Sequence, residues 1–276
     1  MTTTWFITGT SSGLGREMTE QLLARGDRVA ATLRTTGALD DLKAQYGDQL
    51  WVAALDISDP DAVRRVVDAA FTELGRINVV VNNAGYALFG AAEEVSDVQI
   101  RQQTDTNILG SVAVIRAALP HLRDQGGGRI LQISSEGGQI AYPNFSLYHA
   151  SKWALEGFVE SVAQEVAPFN IEFTLIEPGP TQTNFVGGMV SSAPMAVYDQ
   201  TPAGEVRRGL NSGSFGTLGD PVKVVQAMIA SADQMPAPRR VTLGANAYTQ
   251  IHAALTARLA ALENQRDIAF STDLTS

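Results

Sequence analysis

The chain has 276 residues, 45% of them hydrophobic and 18% charged, with a net charge of −9 and no cysteine. A chain of this length can bury a sizeable core without cross-links, and the lack of cysteine excludes disulfides, thiolate metal sites and cysteine nucleophiles. The acidic balance argues against a broad phosphate-backbone footprint, so no nucleic-acid partner is expected.

Met1-Thr2-Thr3-Thr4 leads straight into an apolar strand, with no basic leader and no small-residue cleavage site. No stretch approaches the ~18 apolar residues of a membrane span. A cytoplasmic protein without a membrane span is expected. Strand and helix patterns then alternate. Strands are predicted over 5–8, 28–33, 50–55, 78–82, 129–133, 171–176 and, more briefly, 241–243. Helices are predicted over 14–25, 38–46, 60–74, 97–121, 146–168, 221–232 and 248–262. Val79-Val80-Val81 and Phe173-Thr174-Leu175-Ile176 are continuous apolar runs, as in strands buried on both faces. The alternation predicts an α/β fold: a single-domain, doubly wound Rossmann-type parallel sheet with helices on both faces, spanning residues 1–264. Residues 184–219 read as a long irregular lid containing Phe185, Gly187-Gly188, Tyr198 and Phe215. Residues 265–276 read as a polar tail that frays.

The first predicted strand ends at a glycine-rich turn, Thr8-Gly9-Thr10-Ser11-Ser12-Gly13-Leu14-Gly15. Such a turn lets backbone approach a dinucleotide pyrophosphate, with the N–H groups of the next helix facing the phosphates. Gly9, Ser11, Ser12, Gly13, Leu14 and Gly15 are therefore the expected cofactor contacts. Gly9-Thr10-Ser11-Ser12-Gly13 also matches a nucleophile elbow. A hydrolase would then need a histidine partner from His121, His149 or His252, none of which has a persuasive context. A dinucleotide-binding regulator without catalysis would keep the turn but would not need the residues that follow.

Tyr148 and Lys152 are four residues apart on a predicted helix, so they share a face. A nearby ammonium favours the phenolate over a phenol whose ordinary pKa is near 10. The pair can then move a proton near neutral pH. Ser135 follows a predicted strand at its carboxyl end, where this fold places ligands, and its hydroxyl can hold a substrate oxygen.

With these segments in order, the first 185 residues or so resemble the short-chain dehydrogenase/reductase family. The turn at 8–15, Asn82-Asn83-Ala84-Gly85, the set Ser135, Tyr148 and Lys152, and Pro178-Gly179 with Thr183 carry the resemblance. It implies that Tyr148 is the general acid/base and that Lys152 binds the nicotinamide ribose and lowers the tyrosine pKa. It further implies that Ser135 polarises the substrate carbonyl and that Asn107 holds a relay water. Asp56 would contact the adenine, Ile57 beside it would belong to the cofactor site, Asn83, Ala84 and Gly85 would line the adenosine and ribose side, and Pro178, Gly179, Thr181 and Thr183 would hold the nicotinamide end. Homodimers or homotetramers are expected from the same resemblance.

The second predicted strand ends Leu33-Arg34, where an acidic residue would favour NAD. A guanidinium there can pair with a 2′-phosphate, so NADP(H) is expected over NAD(H). Tyr86, Glu136, Tyr142 and Phe185, with 193–215, are expected to shape an apolar pocket for a bulky or hydrophobic small-molecule carbonyl or alcohol substrate. Glu136, directly after Ser135, reads either as orienting a polar substrate group or as solvated or salt-bridged. No metal site is expected.

Overall fold

Trp5, Phe6 and Ile7 are almost fully buried in the first strand, β1 (Thr4–Thr8). Phe6 joins one core, and Trp5 and Ile7 join another on the opposite side of the sheet. Successive side chains of a strand face opposite ways, so a strand covered on both faces must be apolar throughout. The computed structural model, which describes residues 2–213 and 218–274, repeats this logic along the chain. After β1 come α1 (Gly13–Ala24), β2 (Arg28–Leu33), α2 (Asp40–Tyr46), β3 (Leu50–Ala54), α3 (Pro60–Leu74) and β4 (Val79–Asn82). The two-residue strand β5 (Leu88–Phe89) precedes α4 (Asp97–Gln103), a π-helical segment (Thr104–Gly110) and α5 (Ser111–Asp124). Then follow β6 (Gly128–Ile133), α6 (Ser146–Val166), β7 (Ile171–Pro178), β8 (Val190–Ser191) and α7 (Pro202–Asn211). The last elements are α8 (Pro221–Ala232), β9 (Arg240–Leu243), α9 (Ala245–Glu263) and α10 (Arg266–Phe270).

Seven strands form one sheet in the order β3-β2-β1-β4-β6-β7-β9, every neighbouring pair parallel. The chain winds outward from β1 in one direction and from β4 in the other, so the switch point lies between them. Val63 and Val67 of α3, Val114 of α5 and Val159 of α6 cover one face. Met18 and Leu22 of α1 and Val225 and Met228 of α8 cover the other. The sheet is the expected single-domain, doubly wound one.

Three expectations need correcting. The single helix predicted over 97–121 is interrupted by the π-helical turn at Thr104–Gly110, where Asn107 is drawn to the backbone of Tyr86 and Gly110 packs on Ile57. The lid is not wholly irregular. β8 pairs with β5 in a second small sheet, and α7 occupies its second half; Phe215 lies outside the described residues. The tail forms α10, where the Arg266 guanidinium stands 5.5 Å from the Phe270 ring centroid, one turn on. Among the described residues no helix is long and apolar enough to cross a membrane.

Candidate active site

The floor of the site is two turns locked together at the switch point. Gly9 has φ +71°, and a Cβ there would stand 2.8 Å from Ala84 Cα; a Cβ on Gly15 would stand 2.3 Å from the Gly9 carbonyl oxygen. Both positions admit only glycine without a shift of backbone. The Thr8 hydroxyl accepts from the N–H groups of Asn83 and Ala84, each at 3.0 Å. The Asn83 amide donates back to the carbonyls of Thr8 (2.9 Å) and Gly9 (3.1 Å). Its side chain is thus committed to bracing the turn. No side chain caps the N-terminus of α1 at Ser12, so Gly13, Leu14 and Gly15 begin the helix with its positive end bare.

The far wall comes from the end of β7. Gly179 N–H donates to Leu243 O at 2.9 Å, and Thr181 bridges to Gly219. The Thr183 side chain reaches across to within 3.8 Å of where a Cβ on Gly13 would stand. At the other end, Arg34 is exposed just past β2. Asp56 accepts from the N–H and hydroxyl of Ser58, which hold its carboxyl below the usual range with help from Arg34. Asp56 does not cap α3; Asp59 does, accepting from Asp61 and Ala62 N–H. Ile57 is buried, with its carbonyl against Gly110.

Asn107 faces the loop after β4. Its amide nitrogen donates to Tyr86 O (2.8 Å) and Ser151 Oγ (3.2 Å), and its oxygen accepts from Tyr86 N–H (3.1 Å). Ser151 Oγ donates to Tyr148 O, so one asparagine ties the Gly85–Tyr86 turn to the helix that carries Tyr148. The π-helical turn supplies the local geometry for this reach, as such bulges do at functional sites.

Ser135 stands at the carboxyl end of β6, its Oγ accepts from Gly137 N–H at 3.1 Å, and its hydroxyl side chain acts on the Tyr148 phenol to favour the phenolate. Lys152 Nζ donates to Ile133 O at 3.0 Å and stands 5.7 Å from the Tyr148 ring centroid. Sequence alone points to a phenol made acidic by this ammonium. The protein groups do the reverse: burial pushes Tyr148 up to about 12, with Ser135 pulling against it and Glu136 adding to the rise. Burial also draws Lys152 down to about 8, partly offset by Glu156.

Glu136 is buried, and its Oε2 has no hydrogen-bond partner among the described residues; burial raises it to about 7. It is shut off from the surface and forms no ion pair among the described residues. Tyr142 packs edge-on against His149 at 4.5 Å and Phe145 at 5.3 Å. Phe185 lies 5.9 Å from the Tyr148 ring. Tyr86, raised by burial, feels the Arg34 charge.

The histidines of the hydrolase reading are otherwise engaged. His149 Nδ1 lies 2.9 Å from Gly137 O while its Nε2 accepts from Tyr142 N–H, which fixes a neutral ring. His121 meets Asp68 at 2.7 Å, and His252 stacks on Tyr248 in α9.

Residues 3–193 match the family model for short chain dehydrogenases. The chain belongs to the short-chain dehydrogenase/reductase family of oxidoreductases. It is 35% identical over 273 residues to Oxidoreductase BOA17 of Botryotinia fuckeliana (strain B05.10), covering 99% of this chain and 100% of that one. Oxidoreductase calM of Penicillium decumbens is 35% identical over 280 residues, covering 96% and 91%. A short-chain dehydrogenase from Streptomyces avermitilis superposes with TM-score 0.92 at 36% identity, covering 99% of this chain and 98% of that one.

In this short-chain dehydrogenase the structure also brings in residues that sequence reasoning missed. Behind Lys152, Glu156 accepts from Ser134 Oγ at 2.5 Å and pairs with Arg240, which also binds Glu160 and Glu177. The four-residue step from Lys152 to Glu156 was a usable signal; the contact with Arg240, 84 residues on, was not.

Proposed function

We propose that this chain is an NADP(H)-dependent reductase of carbonyl compounds that also runs in reverse as a secondary-alcohol dehydrogenase. The observation that carries the proposal is the juxtaposition of Ser135, Tyr148 and Lys152, all buried at the carboxyl end of β6, beside a two-turn floor that only glycine fits. The floor suits a dinucleotide: close backbone, an uncapped helix N-terminus and the opposing 178–183 wall. Backbone N–H groups of Gly13, Leu14 and Gly15 would hold the pyrophosphate. Asp56 and Ile57 would meet the adenine, Asn83 to Gly85 the adenosine ribose, and Pro178 to Thr183 the nicotinamide. A nicotinamide dinucleotide bound there supplies the hydride for the carbonyl carbon and, when oxidised, a positive charge.

Ser135 donates to the substrate oxygen and fixes its distance from the phenol. Tyr148 gives that oxygen its proton as the carbonyl becomes an alcohol, and takes one back in the reverse direction. A phenol raised to about 12 is fully protonated at neutral pH, the state that reduction requires. Lys152 places a cation beside the phenolate left behind. Asn107 holds the Gly85–Tyr86 turn against α6 and stands where a relayed proton would leave. Tyr86, Tyr142 and Phe185 give the pocket an apolar, aromatic lining suited to a hydrophobic carbonyl compound.

NADP(H) is favoured by Arg34. It is exposed, its charge reaches both Asp56 and Tyr86, and it forms no ion pair among the described residues. Tyr148→Phe should lower turnover by about 10²–10⁴-fold while NADPH still binds in a fluorescence titration; full activity in that variant removes the acid/base assignment. Arg34→Ala should weaken NADPH binding by about 10–100-fold, the value of a charge-assisted bond, and leave NADH nearly unchanged. Equal losses for both coenzymes would point to NAD(H) use or to no discrimination at this end.

A further inference from the structure

The buried carboxylates of the described residues fall into two groups. Glu156 and Glu177 share Arg240, Glu94 is clasped by Arg207, and Asp27 pairs with Arg25. Glu136 stands apart: no guanidinium, no hydroxyl and no backbone N–H of the described residues reaches its carboxyl, and Oε2 is fully enclosed. An enclosed carboxyl oxygen without a partner carries its full desolvation penalty, and beside a cleft it calls for a partner from outside the fold.

Its placement says what that something touches. Glu136 directly follows Ser135, and Oε2 lies 3.3 Å from where a Cβ on Gly179 would stand. A side chain at 179 would therefore crowd the carboxyl. The phenols of Tyr142 and Tyr148 both feel its charge. The carboxyl thus sits among Ser135, Tyr148, Tyr142 and Gly179, around the position proposed above for the reacting carbonyl.

Resting on the reductase reading, we propose that Glu136 is a specificity-determining residue that binds a second oxygen of the substrate, a hydroxyl near the reacting carbonyl, so that the preferred substrates are hydroxy ketones or, in reverse, diols. A hydroxyl suits this site better than a cation or a second carbonyl. It donates to a carboxylate and accepts from a carboxylic acid, so it satisfies the group in either protonation state. An analogue without the hydroxyl leaves the carboxyl unpaired and is discriminated against in the transition state.

The test compares kcat/KM for ketones carrying one hydroxyl at successive carbons from the carbonyl with their deoxy counterparts, using NADPH. The unaltered enzyme should prefer at least one hydroxy ketone over its deoxy partner by about 10–100-fold. Glu136→Leu should abolish or invert that preference while still turning over the deoxy ketone, and Glu136→Gln, which can still bond a hydroxyl, should keep much of it. Glu136→Ala serves if the leucine variant does not fold by circular dichroism. No preference in the unaltered enzyme, or equal changes for both partners in the leucine or alanine variant, would overturn the assignment. Absence of turnover with every ketone in the unaltered enzyme would instead overturn the reductase reading on which it rests.

Discussion

Lys152 holds its ammonium where water cannot solvate it well, with one bond to Ile133 O and with burial drawing its pKa from 10.5 to about 8. The direction fixes the sign of its effect on stability. The unfolded chain keeps this proton up to about pH 10.5 and the folded chain only to about pH 8. The penalty of burying the charge is therefore present in full below pH 8 and gone above about 10.5. Ile133 O also accepts from Gln132 Nε2 at 3.1 Å, so removing the lysine leaves no orphaned carbonyl. Lys152→Met should accordingly lose turnover yet resist urea better at pH 7, by about 1–3 kcal/mol, with the gain fading towards pH 10.5. Equal midpoints at pH 7 would show that the ammonium is not held at a cost. At this scale the nearness of Tyr148 and Lys152, and of Lys152 to the strand end before Ser135, was readable because residues four apart on a helix share a face. The direction of the tyrosine shift was not, because it depends on how completely α6, Phe145 and Phe185 enclose the ring.

Among the elements, the lid has more structure than its composition shows. Glu94, its side chain fully buried, accepts from Arg207 Nη2 on both oxygens at 2.7 Å, from Met195 N–H at 2.7 Å and from Ala91 N–H at 2.7 Å. One carboxylate thereby clasps α7 and the strand-like stretch after β8 to the β5 loop, and Asn144 adds a bond to Ala203 O at 2.6 Å. Arg207→Ala leaves that carboxylate without its cation. Breaking such a buried pair typically costs ~3 kcal/mol, which corresponds to roughly 10²-fold more frequent opening. Limited proteolysis should then cut within 190–213 much faster, and KM for the carbonyl substrate should rise more than the dissociation constant for NADPH. Unchanged cleavage would show that the small β5–β8 sheet holds the lid by itself. Strands and long helices were legible because period and apolar run reveal burial. The lid was not, since β5 and β8 are two residues each and pair Leu88 with Val190 and Phe89 with Ser191, far apart in the chain. The π-helical turn escaped for a similar reason: Thr104–Gly110 carries an ordinary helical pattern, and the pull on Asn107 comes from a loop 21 residues away.

The whole molecule is organised around the point where the sheet reverses direction, and the residues that meet there tolerate little. Gly9→Ala combines a positive φ, unfavourable by about 1–2 kcal/mol for a residue with a Cβ, with a contact against Ala84 backbone that costs about 1–3 kcal/mol more. Urea denaturation should show a loss of this combined size, and NADPH binding should fall with it. A near-neutral result would mean that the two turns can separate. A second tie spans the molecule: Arg240 on the edge strand joins Glu156 and Glu160 of α6 to Glu177 of β7, so the last strand is anchored to the helix that carries Tyr148.

The Thr8 hydroxyl, already described as receiving two N–H groups, has a consequence for the catalytic cycle. It welds the glycine turn and the loop after β4 into one plate, so neither side can yield on its own. If a dinucleotide binds there as proposed, the yielding part would be the cover that Glu94 and Arg207 hold. On that reading, loosening the clasp would change how fast a dinucleotide enters and leaves.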